Sequence, residues 1–264
     1  MDGTLTNPPI VSPSAEALRS LIDRACDVHF VPNQRSKQEL FFSSSTLRQF
    51  FSHQIRASLH IFHMNNILIS GILSGFILNL VHSRNLKYKL CTYVTHEYLE
   101  GESGRLDGAG LEGLGFEPSE WLVVFAKNSS YVLFAIEEAL HSGVVDAVVA
   151  ELPVTTAVEF KTTQRLALKS TRAGVPVFLI LSGPSLPLPT AARTRWEVSA
   201  VPSRCGDQDR WLGDPAWRVR LLKNRDGPCG EAIVRFSPRE QRIYEVPTQE
   251  RSGRLSANFP RLAP

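Results

Sequence analysis

Two acids and a pair of glycines carry the first signs of chemistry in this sequence. Val132, Ala135, Ile136, Ala139 and Leu140 form a stripe at helical spacing, and Gly143 stands where a left-handed cap would end that helix. Residues 144–150 are then a short β-branched apolar run, the pattern of a strand buried on both faces, with Glu151 at its carboxyl end. Helix, glycine, buried strand and terminal acid make half of a parallel α/β nucleotide-binding unit. A second acid, Glu97, closes the apolar run that begins at Cys91.

Nucleotide turnover in such a unit needs more than acids. Glycines must let backbone N–H groups wrap the phosphates, a lysine must reach the β/γ-phosphates, and a hydroxyl must hold Mg²⁺. The place available for this loop is 69–77, where Gly71 and Gly75 are separated by three residues instead of four. Phe76 and Ile77 stand where lysine and Ser/Thr belong. An apolar pair there leaves phosphate charge unneutralised in a catalysis that is mostly electrostatic. Loss of hydrolysis is the expectation, with no catalytic residue and no cofactor assigned. Gly71, Gly75, Glu97 and Glu151 are then degenerate relics, or plain acids and glycines at element ends.

Other reactive side chains point to weaker chemistry. Arg193 and Arg195 close the proline-rich stretch 182–195 beside Trp196, a pattern suited to clamping phosphates and offering a stacking face. The competing reading is a solvated connection with Trp196 in the core. Arg218, Arg220, Lys223 and Arg225 form a basic run along a predicted hairpin and extend the possible DNA- or partner-binding surface. His53, His60 and His63 fall near one face of a predicted helix, but no cysteine or carboxylate accompanies them, so no metal site is assigned. Ser142 beside His141 lacks the turn of a hydrolase nucleophile, and Cys91 reads as packing.

The elements that must position these residues alternate regularly. Residues 90–95, 121–126, 144–150 and 175–181 read as strands, separated by helices at 107–114, 131–140 and 157–171. Helix-length crossovers imply a parallel sheet with helices on both faces. From 195 the pattern changes to strands at 196–200, 217–223, 232–236 and 243–246, with a turn at 224–227, an antiparallel extension. Upstream, 14–26 reads as a helix after a loose start, and 47–62 recurs at helical spacing. Segment 67–81 reads as a buried strand–turn–helix. The organisation is a helical or loose segment over 1–39, one α/β domain over 40–246 and a disordered tail over 247–264.

The totals set the remaining limits. With 264 residues, 43% of them hydrophobic, and a formal net charge of +3, the chain suits one large α/β domain plus a small appendage. Four separated cysteines suggest neither a zinc ribbon nor a disulfide framework, and a start without a basic, apolar leader fits a reduced cytoplasmic setting. The apolar run 67–81 has 15 residues, short of the ~20 that cross a bilayer, and Asn79 interrupts it. Membrane association through that run is the minor alternative. Residues 40–96 contain no Asp or Glu, a composition so unlike the rest that a frameshifted or foreign insert is conceivable.

From Cys91 to Leu152 the sequence resembles the core of the RecA recombinases. Cys91-Thr92-Tyr93-Val94-Thr95-His96-Glu97 is similar to a core strand ending in the water-activating glutamate, and Ser142 to Glu151 to the segment ending in the Walker B acid. A nearer resemblance is to the ImuA family of RecA-like accessory proteins in bacterial SOS mutagenesis. Residues 135–143, 149–152, 163–168, 191–198 and 217–225, followed by Gly230-Glu231, carry it in order. The resemblance implies a RecA-like, mostly parallel sheet flanked by helices, with a C-terminal antiparallel strand extension. It also implies a non-catalytic role in translesion synthesis and nucleoid association during DNA damage. Its implied partners are an ImuB-type, Y-family-polymerase-like mutasome protein, an error-prone replicative-type DNA polymerase and RecA, with single-stranded DNA a further ligand. A RecA-like ATPase with an atypical phosphate loop is the alternative.

Overall fold

The computed structural model describes residues 56–64, 70–82, 90–113, 115–154, 158–183, 189–202, 213–237 and 242–246. Expectations that fall elsewhere, including the helix at 14–26 and the tail, lie outside the described residues. In chain order the elements are β1 (Leu59–Met64), α1 (Ser70–His82), β2 (Cys91–His96), α2 (Glu97–Ser103), α3 (Gly108–Gly113), β3 (Trp121–Ala126), α4 (Ser129–Ser142), β4 (Ala147–Pro153), α5 (Phe160–Ala173), β5 (Val177–Ser182), β6 (Thr194–Ala200), β7 (Ala216–Asn224), β8 (Gly230–Ser237) and β9 (Arg242–Glu245).

Among the described residues the strands form one sheet of nine, in the order β3-β2-β4-β5-β1-β6-β7-β8-β9. The six strands from β3 to β6 are parallel, and β7, β8 and β9 continue the sheet antiparallel. This is the expected mostly parallel α/β architecture with an antiparallel extension. The extension branches from a parallel strand: β6 pairs parallel with β1 on one side and antiparallel with β7 on the other.

Local chemistry sets the boundaries. Asn128 caps α4 by accepting from the Tyr131 N–H at 3.0 Å, and Gly143 ends the helix at φ 74°, in the left-handed region that an L side chain avoids. Gly174 ends α5 the same way at φ 72°. The strand after Gly143 starts later than its apolar run, at Ala147, because Val144–Asp146 serve to turn the chain into the sheet; the Asp146 N–H bonds the Leu90 carbonyl at 2.8 Å.

The acid-free segment is where the expectation and the structure part. Leu59, His60 and Phe62 belong to a strand, and from Ser70 the run expected as strand–turn–helix is helix, with 67–69 outside the described residues. Six residues with apolar side chains at 59, 61, 62 and 64 fit both periods, and only length and neighbours decide between them. Here β1 lies between β5 and β6, buried on both faces, which removes the polar alternation that would have marked it. The described parts of this segment supply β1, α1 and β2 to the sheet and its core. Its burial also explains why no carboxylate occurs in β1 or along the buried residues of α1.

Each sheet face carries its own core. On one face Phe62, Phe76, Trp196 and Trp217 pack with α1: Phe62 stacks on Trp196 at 6.0 Å with 3° between planes, and Phe76 meets Trp217 at 5.5 Å. On the other, Leu59, Ile61, Val148 and Val177 pack against α4 and α5 through Ile136, Ala139 and Leu166.

Candidate functional site

The parallel strands present two ends, and the sequence-predicted residues divide between them. The carboxyl ends of β2 and β4 meet the middle of α1. There Glu151, 3% exposed, accepts from the Tyr93 hydroxyl at 2.9 Å, and Tyr93 shares a hydrogen bond with Ser74 of α1 at 3.0 Å. The Ser182 hydroxyl approaches the other carboxylate oxygen at 3.4 Å. Burial, with the neighbouring carboxylate, pushes the Tyr93 phenol well above its ordinary range, so it remains a donor to Glu151. A cavity of about 210 Å³ opens beside this group, lined by Ser74, Gly75, Leu78 and the stretch from Ser103 to Asp107.

Glu151 therefore lies within β4 instead of at its tip, met by side chains of β2 and β5, with Ser74 of α1 bound to its Tyr93 partner. Glu97 takes a different place: it is the exposed first residue of α2. Its neighbour His96 caps that helix, accepting from the Tyr98 N–H at 3.1 Å, and burial lowers the imidazole pKa against the pull of Glu97.

The expected phosphate loop is corrected by the same geometry. Residues 70–77 are helix, so Gly71 and Gly75 sit within α1 and not in a turn. Phe76 and Ile77 are fully buried core residues. The connection between β1 and α1 is 65–69, outside the described residues, with the sequence Asn-Asn-Ile-Leu-Ile. It holds no glycine, and no Lys or Arg occurs between Arg56 and Arg84. The expected phosphate loop does not form here: Glu151 accepts from Tyr93, the positions expected to hold lysine and Ser/Thr are the core residues Phe76 and Ile77, and the Arg105 of the cavity lining comes from the stretch after α2 instead of from a glycine-rich turn before α1.

The opposite end, where β1 and β6 begin, is basic. The chain leaves β5 at its carboxyl end and returns to the amino end before Arg193, whose N–H bonds the Leu59 carbonyl at 2.8 Å. Arg195 and Lys223 face each other across β6 and β7, and the hairpin carries Arg225 and Asp226. Arg193 bonds both carboxylate oxygens of Asp226, holding that acid below its usual range with help from Arg56 and His60. Burial lowers the Lys223 ammonium, and Arg225 and Arg195 lower it further by like-charge repulsion; its Nζ also donates to the Thr190 carbonyl at 2.6 Å. Arg56 and Arg193 thus act on Asp226, and Arg195 and Arg225 on Lys223, so these basic side chains share one end of the sheet.

Arg218 and Arg220 lie farther along the exposed face of β7. They are offset there by Glu231 at 3.5 and 3.9 Å and by Glu197 at 3.3 Å. Of the six basic candidates, four converge on the hairpin end and two are partly neutralised. Arg56 joins the four unannounced; its place at the mouth of β1 was hidden because the segment's period reads as helix. Trp196 is 3% exposed, its face covered by Phe62 and its indole N–H donated to Thr194 at 3.0 Å, so it offers no stacking face. His60 and His63 sit on the strand β1, three positions apart and so on opposite faces, which undoes the single helical face expected of them. His60 is bonded to Thr194 at 2.9 Å and the Arg56 carbonyl at 3.0 Å.

These features define an α/β protein with a mostly parallel sheet, a buried strand acid bound by protein donors, and a basic amino-terminal sheet end. Over 131 residues the chain is 31% identical to Protein ImuA of Caulobacter vibrioides, with the same figures in two strains, and over that stretch it is ImuA-like. The match covers 47% of this chain and 54% of the relative, so the chain spans about half the length of the curated relatives it matches. No protein-family model matches. No helix among the described residues is long and apolar enough to cross a membrane.

Proposed function

We propose that the chain is a non-catalytic, RecA-like accessory factor in SOS-induced translesion DNA synthesis and mutagenesis. The ImuA-like relationship is the observation that carries this reading. The structure supports the non-catalytic part: Glu151 is engaged by Tyr93, while Phe76 and Ile77 are committed to the core. Action then falls to surfaces. The basic end formed by Arg56, Arg193, Arg195, Lys223 and Arg225 is the DNA contact, through phosphates and without base stacking. The protein partners are an ImuB-type mutasome protein, an error-prone replicative-type polymerase and RecA, in the cytoplasm and at the nucleoid during DNA damage.

Two measurements on the full chain test this. Purified partner proteins are captured on immobilised chain, and a fluorescent oligothymidylate is titrated over a salt series. Capture of a mutasome subunit or RecA is expected. DNA binding is expected too, and alanine variants of Arg195, Lys223 and Arg225 should each flatten its logarithmic salt slope by roughly 0.7 per phosphate left unneutralised. No captured partner and no DNA affinity at low salt would remove the reading.

A further inference from the structure

Helix α5 carries no acid, and neither does the chain onward from it to Trp196. Thr163, Leu166 and Ser170 are its buried residues, which fixes the side turned to the sheet. The helical period then sets two adjoining ridges on the outer side: Lys161, Arg165 and Lys169 on one, and Phe160, Gln164, Leu168 and Arg172 on the other. Phe160 is 46% and Leu168 53% exposed. Glu137 of α4 meets Arg165 and Lys169, each at 2.6 Å. Lys161 and Arg172 form no ion pair with a described residue. An ordinary solvent face intersperses both signs, whereas here four cations share one carboxylate. The helix also leads to the basic sheet end. Its last turn is tied to the mouth of β1, where the Thr171 hydroxyl donates to the Ala57 carbonyl at 3.3 Å, and Arg172 and Arg56 are the chain neighbours of that bonded pair. From Arg172 the cations continue back to Lys161, about 16 Å along the helix axis.

We propose that the outer face of α5 is a second segment of a single-stranded DNA site, carrying the strand on from the basic sheet end. This rests on the DNA contact proposed for that end. Phosphates would lie along Arg172, Lys169, Arg165 and Lys161, with Glu137 holding two of these cations side by side. The exposed apolar residues select the kind of polyanion. Unpaired bases have open faces that cover Phe160 and Leu168, whereas a duplex keeps those faces inside its own stack. Phe160 thereby supplies the stacking surface that the buried Trp196 lacks. An anionic membrane fits less well: the apolar side of α5 is already packed on the sheet, and two exposed apolar residues are too few to seat a helix in a lipid interface.

Anisotropy titrations of the full chain with labelled oligothymidylate over a salt series test the assignment. The double variant Lys161→Ala with Arg172→Ala removes the two cations that no described acid engages, so Glu137 keeps both its partners. Its logarithmic salt slope should be shallower by about 1.4, which is about 25-fold weaker binding at 0.1 M salt for lines that meet at 1 M. Phe160→Ala should weaken binding about fivefold or more at an unchanged slope, because stacking releases no counterions. Glu137→Gln should tighten binding by freeing Arg165 and Lys169, a gain that a folding defect cannot mimic. Duplex of the same length should bind more weakly than the single strand and be indifferent to Phe160→Ala. If alanine variants of Arg195, Lys223 and Arg225 lose affinity while the α5 variants match wild type, the α5 assignment fails and the basic end stands. If the wild-type chain binds no oligothymidylate, both fail together. Binding to phosphatidylserine vesicles that the α5 variants abolish, with DNA affinity untouched, would make the face a lipid contact and overturn the proposal.

Discussion

Replacing Tyr93 by phenylalanine isolates the role of Glu151. The change keeps the ring in the core and removes the hydroxyl that lies 2.9 Å from the carboxylate and 3.0 Å from Ser74. A hydrogen bond to a charged group is worth about 1.5–3 kcal/mol, and a nearly buried carboxylate that loses a donor keeps its desolvation cost. At about 2–4 °C per kcal/mol for a domain of this size, the melting midpoint should fall by about 3–12 °C. The double variant Tyr93→Phe with Glu151→Leu removes acceptor and donor together, and apolar replacement of a whole buried polar pair is often neutral. It should therefore be no less stable than Tyr93→Phe alone. Calorimetric unfolding of the four proteins gives the coupling directly. Additive losses, or a Tyr93→Phe midpoint within about 1 °C of wild type, would show that Glu151 is not held by this bond, and the account of it as a structural acid would fail.

Three further outcomes follow from particular side chains. Asp226→Asn removes the acid that engages Arg193, so single-stranded DNA should bind more tightly and with a salt slope steeper by about 0.7, read by fluorescence anisotropy. The Asp226 carboxyl is held below its unfolded value by Arg193, so its contribution is present above roughly pH 4 and is lost as pH falls through the folded pKa; the stability gap between wild type and Asp226→Asn should close on acidification in denaturant titrations. Gly174→Ala, at φ 72°, should cost about 1 kcal/mol, seen as a lower urea midpoint at unchanged slope.

Much of the parallel sheet was legible because its signals are local. Gly143 and Gly174 mark helix ends by a conformation that other residues avoid, and the run at 121–126 coincides with β3. The strand β1 was not legible: a short apolar segment buried on both faces has no period of its own, and its identity depends on β5 and β6, more than a hundred residues away. The same limit applied to the sites. Glu151 could be placed on a strand from sequence, but its bond to Tyr93 needed the register of β4 against β2. The basic residues were visible one by one; that Arg193, Arg195, Lys223 and Arg225 share an end with Arg56 follows from the return of the chain across the sheet after β5.

Calorimetric titration of the full chain with magnesium-ATP tests the central claim most directly, because a parallel sheet whose Glu151 is engaged by Tyr93, with Phe76 and Ile77 in the core where a lysine and hydroxyl would be needed, should be indifferent to nucleotide. No heat of binding at millimolar nucleotide is the predicted result. Saturable, stoichiometric heat, abolished by Glu151→Gln, would contradict it.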